Sequence, residues 1–321
     1  MGRRHTPTRG AAAILAVMPS VLPPSGDYAA LAPRPGSPVW RAFNDVRLLS
    51  TSGYATLLQV AYPTVGHGVH EYSSFLKDPW GRLLRTLDYV HGTIYGGPEM
   101  AGRLGARVRG MHKGIRGTTP DGKRYNAMEP EAFAWVHATL ALAIVDGHRV
   151  FAREMRDDEK QAFLDEWLRV GRFIGVREQD LPARWPEFEA YCERVIVEKL
   201  RWTPAVPEVL ATFRGRKPPN VPGLPRALWR LINAPLSLQL RINTFGLLPP
   251  EVRERLDLPF SRTDALLFRT LSVLSRMSRP FIRGPLASFG PRYVRWRRRE
   301  LARGDVAGGS ARRRDSAPAA A

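Results

Sequence analysis

The chain has 321 residues, 44% of them apolar and 25% charged, which suffices for one large or two ordinary globular domains. Its single cysteine, Cys192, excludes a disulfide framework, a structural thiolate zinc site and an iron–sulfur cluster. No run approaches the roughly 18–20 uninterrupted apolar residues of a membrane-spanning helix. The sequence therefore predicts a soluble or peripheral protein, cytoplasmic or at a membrane surface, with a net charge of +19.

The positive charge is concentrated towards the C-terminal end. Residues 201–321 hold 23 Lys/Arg against 8 Asp/Glu, whereas residues 41–200 are close to neutral. A basic surface of this kind attracts anionic lipid or nucleic acid through its long-range field. A general preference for Arg combined with a solvated tail is the alternative interpretation. We expect peripheral membrane contact rather than nucleic acid as the partner of this region.

The chain divides into five segments by composition. Residues 1–40 read as a disordered leader, because Pro19 interrupts the one apolar run; a secretory signal is the alternative. Residues 41–213 form the predicted helical core, and the Pro/Gly-rich stretch 214–225 a joint. Residues 226–291 form a helical C-terminal lobe, and residues 292–321 a basic disordered tail.

Helical patterns dominate the middle of the chain, while strand signals are nearly absent. Proline or acidic residues open several of the segments, as is typical of helix N-termini. The predicted helices are Asp45–Ala61, one from Pro79 to about Gly96, Pro98–Ile115, one beginning at Glu129-Pro130, Asp157–Gly171 and Trp185–Leu200. The body of the fourth, Ala132–Val145, is apolar on every side, which is typical of a buried core helix. The predicted fold is all-α.

Several familiar motifs are missing. Gly66-His67-Gly68 begins like a dinucleotide-binding loop, but Glu71 stands where the last glycine belongs. A zinc-protease pattern built on His70 and Glu71 would need a second histidine where Ser74 stands. The sequence has neither a Walker loop nor the Glu-x-x-His pairs of di-iron bundles. These absences exclude the simplest nucleotide and metal sites.

Two consecutive helices instead carry polar residues on one face each. Arg82, Arg85 and Thr86 share a face of the first helix. The second predicted helix aligns another set at i, i+3 and i+7: Arg109, His112 and Arg116. A neutral imidazole can ligate haem iron, and guanidinium groups can pair with the haem propionates. By spacing alone this signal is weak, because a histidine among arginines on a helix is usually a partly exposed surface residue.

An ordered series of motifs resembles the bacterial and fungal MpaB-type oxygenase family, which includes the latex-clearing rubber oxygenases. The resemblance covers about residues 40–285. The motifs that carry it are Leu58–Val65, Gly68–Ser73, Arg82–Thr86, Val108–His112 ahead of Gly117, Tyr125-Asn126-Ala127, Trp135–Leu140, Glu166, Gly175-Val176, Leu181-Pro182, and Leu248-Pro249-Pro250 with Arg253.

The resemblance implies an all-α fold that holds haem b and reacts with dioxygen. By the family pattern, His112 is the proximal iron ligand, and Arg82 and Thr86 belong to the haem pocket. Arg85 stands where the rubber-cleaving members have a distal lysine. Because arginine stays charged, it cannot coordinate iron as a neutral lysine can. This departure puts rubber cleavage in question.

The remaining candidates have alternatives of their own. Tyr62 and Tyr72 stand where relatives commonly have histidine, and tyrosine can itself ligate haem or donate a proton. Glu71 is a candidate general base if it is buried; otherwise it is a solvated acid. His137, inside the buried helix, is the second candidate for the iron ligand or a hydrogen-bonded core histidine.

The sequence therefore predicts a haem b-dependent oxidoreductase that uses dioxygen to oxidise an apolar small-molecule or polymer substrate. The protein would supply the apolar cavity around the haem and the polar residues on its distal side. A haem carrier or sensor without catalysis is one alternative. The other is a peripheral membrane- or nucleic-acid-binding protein that works through the basic C-terminal third. Its interfacial helix would be formed by Trp229, Leu236, Leu240, Arg226, Arg230 and Arg241. Packing of that segment onto the core is the competing interpretation.

Overall fold

The computed structural model describes residues 28–73, 79–213 and 226–300. Within these ranges the chain is built from helices and one short β-hairpin, which confirms the all-α prediction. None of the helices in these ranges combines the length and the apolar character required to cross a membrane.

The elements before the hairpin are helical. In chain order they are α1 (Tyr28–Leu31), α2 (Pro38–Phe43), a 3-10 helix (Val46–Thr51), α3 (Ser52–Val60), α4 (Pro63–Tyr72), α5 (Pro79–Tyr95) and α6 (Pro98–His112). The strands β1 (Arg116–Thr118) and β2 (Arg124–Asn126) then pair in antiparallel fashion.

The elements after the hairpin are again helical. They are α7 (Pro130–Phe151), α8 (Asp157–Gly171), α9 (Trp185–Glu198), α10 (Ala205–Thr212), α11 (Arg226–Leu247), α12 (Pro250–Arg255), α13 (Arg262–Met277) and α14, described over residues 289–300, with short 3-10 turns at Glu178–Asp180, Arg279–Phe281 and Leu286–Ser288.

Proline opens many of these helices. It occupies the first turn of α2, α4, α6, α7, α9 and α12, where its missing N–H would have had no intrahelical partner. This regularity is why the predicted helix starts at Pro79, Pro98 and Pro130 agree with the structure. The predicted helix Asp45–Ala61, however, is divided between the 3-10 helix and α3.

The hairpin was not predicted from the sequence. Its strands are only three residues long, too short to show an alternating pattern. The turn between them is closed by Thr119, whose backbone N–H and hydroxyl group both donate to the Lys123 carbonyl, at 2.8 and 2.9 Å. Gly122 in the same turn has a φ of 83°. The predicted helix Pro98–Ile115 therefore ends at His112, and the chain turns into β1.

Helix α7 lies at the centre of the core, as predicted from its apolar surface. It packs against α3, the 3-10 helix, α8, α9 and α13. Trp135 is fully buried and donates its indole N–H to the Leu58 carbonyl at 3.0 Å. On the same side, the Tyr54 hydroxyl lies 2.9 Å from the Asp146 carboxylate. Apolar burial and these buried polar contacts together fix α3 on α7.

Helices α5 and α6 form an antiparallel hairpin of their own. The turn between them is Gly96-Gly97, and Gly97 has a φ of 81°, a conformation that favours glycine. Because both helices rise about 1.5 Å per residue, positions equally far from the turn lie at the same level. Arg82 and His112 therefore lie at the same end of this helical pair, as the haem hypothesis requires.

Part of the predicted leader belongs to the fold. The Tyr28 ring stacks on Phe173 with centroids 5.7 Å apart. Val39 is completely buried, and its backbone N–H donates to the Glu166 carboxylate at 2.7 Å. Residues 28–40 are thus ordered by specific contacts, which corrects the prediction for them. Residues 1–27 lie outside the described part of the chain.

The C-terminal helices pack directly on the core. Helix α11 contacts α3, and α13 contacts α7. Buried residues from this region join the main hydrophobic core: Phe245, Leu248, Val252, Leu256 and Leu258. The predicted joint, 214–225, lies outside the described residues.

Helix α11 continues through Pro235, and its packing corrects the interfacial face predicted from the sequence. Trp229 is buried, and Leu240 packs against the core. Arg241 forms an ion pair with Asp264 at 2.6 Å. The competing interpretation, packing onto the core, therefore holds for these three residues. Leu236 is 50% exposed, and the side chains of Arg226 and Arg230 lie outside the described ones.

The first residues of the predicted disordered tail form a docked helix. In α14, the Tyr293 hydroxyl donates to the Asp88 carboxylate at 2.7 Å, and Arg297 pairs with the same carboxylate at 2.9 Å. Aromatic packing of Tyr293 beside His91 supplies buried area that composition alone does not reveal. The prediction was therefore wrong for residues 292–300, while residues 301–321 lie outside the described part.

The contact between α5 and α14 generates a prediction about acid stability. His91 is buried among Tyr95, Phe289 and Tyr293, and burial lowers the pKa of its imidazole to about 4, against a smaller opposing effect of Asp88. Its Nδ1 has no hydrogen-bond partner among the described residues. The unfolded chain, with a histidine pKa near 6.5, therefore binds a proton before the folded protein does.

We expect the free energy of unfolding to fall as the pH drops from about 6.5 to 4, by about 1.4 kcal/mol per pH unit from this residue. The variant His91→Phe should show a shallower pH slope in urea unfolding at pH 7, 6 and 5. The variant Leu83→Ala, which changes an exposed residue of the same helix that does not titrate, serves as the control and should keep the wild-type slope. An unchanged slope in His91→Phe would show that His91 is not the residue responsible.

Candidate functional site

His112, the last residue of α6, is half-buried against the start of α7. Its Nδ1 lies 2.7 Å from the carbonyl oxygen of Val108, one helical turn earlier. Its ring meets Phe133 of α7 edge-on, with centroids 5.3 Å apart. Because a carbonyl only accepts hydrogen bonds, the proton resides on Nδ1 and the lone pair on Nε2. A histidine that binds a metal through Nε2 needs this tautomer.

The two arginines predicted to share a face with His112 point elsewhere. The Arg109 guanidinium donates to the Phe173 carbonyl, and its Cδ lies against Gly175. Arg116 lies on β1 because the helix has already ended, so the predicted i, i+7 alignment with Arg109 is wrong. Its side chain is exposed, and its guanidinium donates to the Lys113 carbonyl at 3.4 Å.

Arg82 and Arg85 form a partly buried cationic pair near the start of α5. Arg82 donates to the Ser73 hydroxyl at the end of α4. Burial, together with repulsion by Arg85, lowers the pKa of Arg82 to about 10, while Glu208 partly offsets this. Two like charges held together away from water favour an anionic ligand between or beside them.

Thr86 lies on the same helix, but its side chain is engaged locally. It is exposed, and its hydroxyl donates to the Arg82 carbonyl at 3.1 Å. This bond is the usual one of a helical threonine with the preceding turn. The sequence placed Thr86 correctly on the helix but did not reveal this partner.

Glu71, the candidate general base, is exposed at the end of α4. Its carboxylate accepts a hydrogen bond from the buried Tyr125 hydroxyl of β2 at 2.6 Å. Burial and this carboxylate both raise the pKa of Tyr125. The general-base hypothesis required Glu71 to be buried, and Glu71 is exposed. The structure therefore favours the alternative, a solvated acid, which here helps to hold the hairpin through Tyr125.

The two tyrosines that replace family histidines have different surroundings. Tyr72 is exposed, and its hydroxyl donates to the Arg116 carbonyl at 2.9 Å. Tyr62 is buried near Trp135. Burial is the main cause that raises the pKa of its hydroxyl, and the nearby Glu131 carboxylate raises it further. A raised pKa keeps this phenol protonated, which opposes its service as a phenolate ligand.

His137 is a packing residue of the core. It is 1% exposed and stacks on Trp167 at 4.4 Å with nearly parallel rings. Its Nε2 lies 2.9 Å from the Trp167 carbonyl and therefore carries the proton, while burial lowers its pKa to about 4. Since Nε2 donates to this carbonyl and the Gly171 backbone lies close to it, the structure favours the core-histidine interpretation.

Sequence reasoning missed the partners that come from distant parts of the chain. A carboxylate oxygen of Glu208 in α10 lies 2.5 Å from His70 Nδ1, and Glu208 also acts electrostatically on Arg82. Ser73 binds Arg82, and Phe133 contacts His112. Glu208 is 138 residues away from His70, and no local pattern marks such a pair.

A cavity of about 560 Å³ opens beside the hairpin. This volume falls within the usual range of small-molecule and cofactor pockets. Its described lining comprises Arg116, Gly117, Thr118, Arg124, Tyr125, Asn126 and Glu129. His112 stands just before this hairpin, at the end of α6, and is not among the described lining residues of the cavity. In the described ranges, His, Cys, Asp and Glu nowhere gather in groups of three or more suited to a bare metal ion.

Comparison with known proteins identifies the family. The model of the "ER-bound oxygenase mpaB/B'/Rubber oxygenase, catalytic domain" matches residues 40–277. An uncharacterized protein of Mycobacterium bovis and one of Mycobacterium tuberculosis are each 27% identical to this chain over 226 residues, which cover 69% of this chain and 85% of theirs. No solved structure gives a significant match. The resemblance found in the sequence is thus confirmed, and the chain belongs to the mpaB/rubber oxygenase catalytic-domain family.

Proposed function

We propose that this protein is a haem b-dependent oxygenase that uses dioxygen to oxidise an apolar substrate. The observation that carries the proposal is the match of residues 40–277 to an oxygenase catalytic domain. The tautomer of His112 supports the haem ligand, and the cationic pair Arg82 and Arg85 supports an anionic cofactor nearby.

The residues present fit a haem group chemically. His112 offers an Nε2 lone pair, since its Nδ1 proton is held by the Val108 carbonyl. Arg82 and Arg85 suit the two propionates, because a bound anion would offset the burial and the Arg85 repulsion that together lower the Arg82 pKa. A bound haem would supply one-electron and dioxygen chemistry, for which amino-acid side chains have no equivalent.

The residues of the chain would hold and orient the cofactor. The Val108 carbonyl sets the orientation of the His112 ring, and Phe133 packs against that ring from α7. Ser73 holds the Arg82 guanidinium in place. A guanidinium group donates hydrogen bonds and does not serve as a neutral base, so Arg85 would act as a hydrogen-bond donor. These roles are positioning and electrostatic.

The substrate class follows from the family and from Arg85. Oxidation of an apolar alkene is the family precedent, and an apolar small molecule or polymer remains the proposed substrate. Because Arg85 replaces the lysine of the rubber-cleaving members, we do not assign cleavage of rubber itself to this protein.

The haem ligand can be tested by absorption spectroscopy. Protein reconstituted with haemin should show a Soret band, and His112→Ala should lose at least about tenfold in haemin affinity because its axial ligand is gone. His137→Phe, which keeps an aromatic ring beside Trp167, should retain the band. Circular dichroism checks that both variants fold.

Loss of the Soret band in His137→Phe but not in His112→Ala would contradict the ligand assignment. A wild-type protein that gains no Soret band with haemin would contradict haem dependence itself.

The anionic cofactor predicts a separate role for Arg82. We expect Arg82→Gln to weaken haemin binding by about tenfold or more, because a charge-assisted hydrogen bond contributes about 1.5–3 kcal/mol. Arg103→Gln is the matched control, since Arg103 lies on α6 and pairs there with the exposed Glu99. Titration of both variants with haemin measures the difference, and equal affinities would argue against a propionate at Arg82.

Catalysis is tested by oxygen uptake. The haem-loaded, reduced protein should consume dioxygen in proportion to the oxidation of a long-chain alkene, and His112→Ala should lose this activity. Stable dioxygen or haem binding without turnover of any of several alkenes would instead favour a carrier or sensor.

A further inference from the structure

The last described segment of the chain is unusually cationic. Between Asp264 and Glu300 there are nine arginines and not one acidic residue. Most of these arginines lie beyond residue 277, where the family match ends. Arg297 is bound to Asp88, but the others are exposed: Arg269, Arg276, Arg279, Arg283, Arg292, Arg295, Arg298 and Arg299.

The same segment exposes large apolar side chains. They are Leu266, Val273, Leu274, Met277, Phe281, Leu286 and Trp296. Phe281 is 79% exposed and Met277 is 66% exposed. Single exposed apolar residues are ordinary, but a concentration of them among cations marks an interaction surface.

Helix α13 arranges both kinds of residue in stripes. Leu266, Val273 and Met277 recur at i, i+7 and i+11, so they lie on one exposed side of the helix. A second set at i, i+7 and i+14 runs beside them: Arg262, Arg269 and Arg276. An apolar stripe flanked by arginines is the pattern of a helix that lies in a membrane interface.

Helix α14 adds a cavity with related chemistry. The cavity has a volume of about 670 Å³ and combines cationic with aromatic side chains. Its described lining is Pro285, Leu286, Phe289, Arg292, Tyr293, Arg295, Trp296 and Arg299. Guanidinium groups bind phosphate with paired hydrogen bonds, and tryptophan favours the headgroup level of a bilayer.

We propose that this C-terminal surface, formed by α13, residues 279–288 and α14, docks on an anionic lipid bilayer. The exposed apolar side chains would enter the interface, and the arginines would pair with lipid phosphates. The inference goes beyond the proposed oxygenase activity and does not depend on haem.

Two other occupants fit the surface less well. A nucleic acid would satisfy the arginines through its phosphates, but it offers no partner for exposed Leu274, Met277 and Phe281. A second copy of this chain, docked through the same surface, would place two sets of arginines against each other. An anionic bilayer satisfies both features at once.

The experiment is flotation of the full-length protein with lipid vesicles. Vesicles of phosphatidylcholine alone are compared with vesicles containing about 30% phosphatidylglycerol, at about 50 and 500 mM salt. We expect binding to the anionic vesicles, weakened at the higher salt, and little binding to the neutral ones.

Two variants with the same change in net charge separate the surface from the overall field. The triple variant Arg292→Gln, Arg295→Gln, Arg299→Gln should lose at least about tenfold in binding. The control variant Arg172→Gln, Arg184→Gln, Arg194→Gln changes three exposed arginines elsewhere: one directly after α8, one directly before α9 and one on α9. Its binding to the vesicles should fall by no more than about twofold. Equal losses in the two variants would overturn the proposal.

The apolar contribution has its own variant, Leu274→Ser with Phe281→Ser. Both side chains are exposed, so the fold should be kept, whereas the binding that survives at high salt should fall. Unfolding temperatures measured by circular dichroism verify each variant. Unchanged binding of this double variant, equal binding to neutral vesicles, or binding of duplex DNA without vesicle binding would each overturn the proposal.

Discussion

The burial of most of helix α7 is the constraint on which the rest of the structure depends. A helix that is apolar all round must be covered all round, and here α3, α8, α9, α13 and the 3-10 helix supply the cover. The first turn of the same helix carries Phe133, which contacts the His112 ring. The position of the candidate haem ligand is therefore set by the packing of the core and not by a flexible loop.

The sequence predicted the helices better than it predicted their contacts. Helix α8 was predicted with its observed bounds, because the acidic first turn and the apolar spacing of Asp157–Gly171 agree with each other. Proline marked the beginnings of α6 and α7 equally well. The hairpin and the docking of α14 were missed, since strands of three residues and a helix rich in arginine leave no local signature of their tertiary partners.

The candidate site shows the same division. His112, Arg82, Arg85 and Thr86 were placed correctly on two neighbouring helices, because helical spacing is local information. Whether a side chain points towards a pocket or a backbone carbonyl depends on residues far away in the chain. His137 satisfies the Trp167 carbonyl and Arg109 the Phe173 carbonyl, and neither partner could be inferred from spacing. The remaining polar groups of the site are therefore fewer than the sequence suggested.

The Asp88 carboxylate has a practical consequence for work with this protein. Its side chain is only 8% exposed, and α14 supplies both the hydrogen bond of Tyr293 and the ion pair of Arg297 that stabilise it. A clone shortened to end at Ser288 would leave a nearly buried anion without these two donors, on the helix that also carries Arg82. Truncation at that point would thus destabilise α5, whereas truncation after residue 300 would keep both contacts to Asp88.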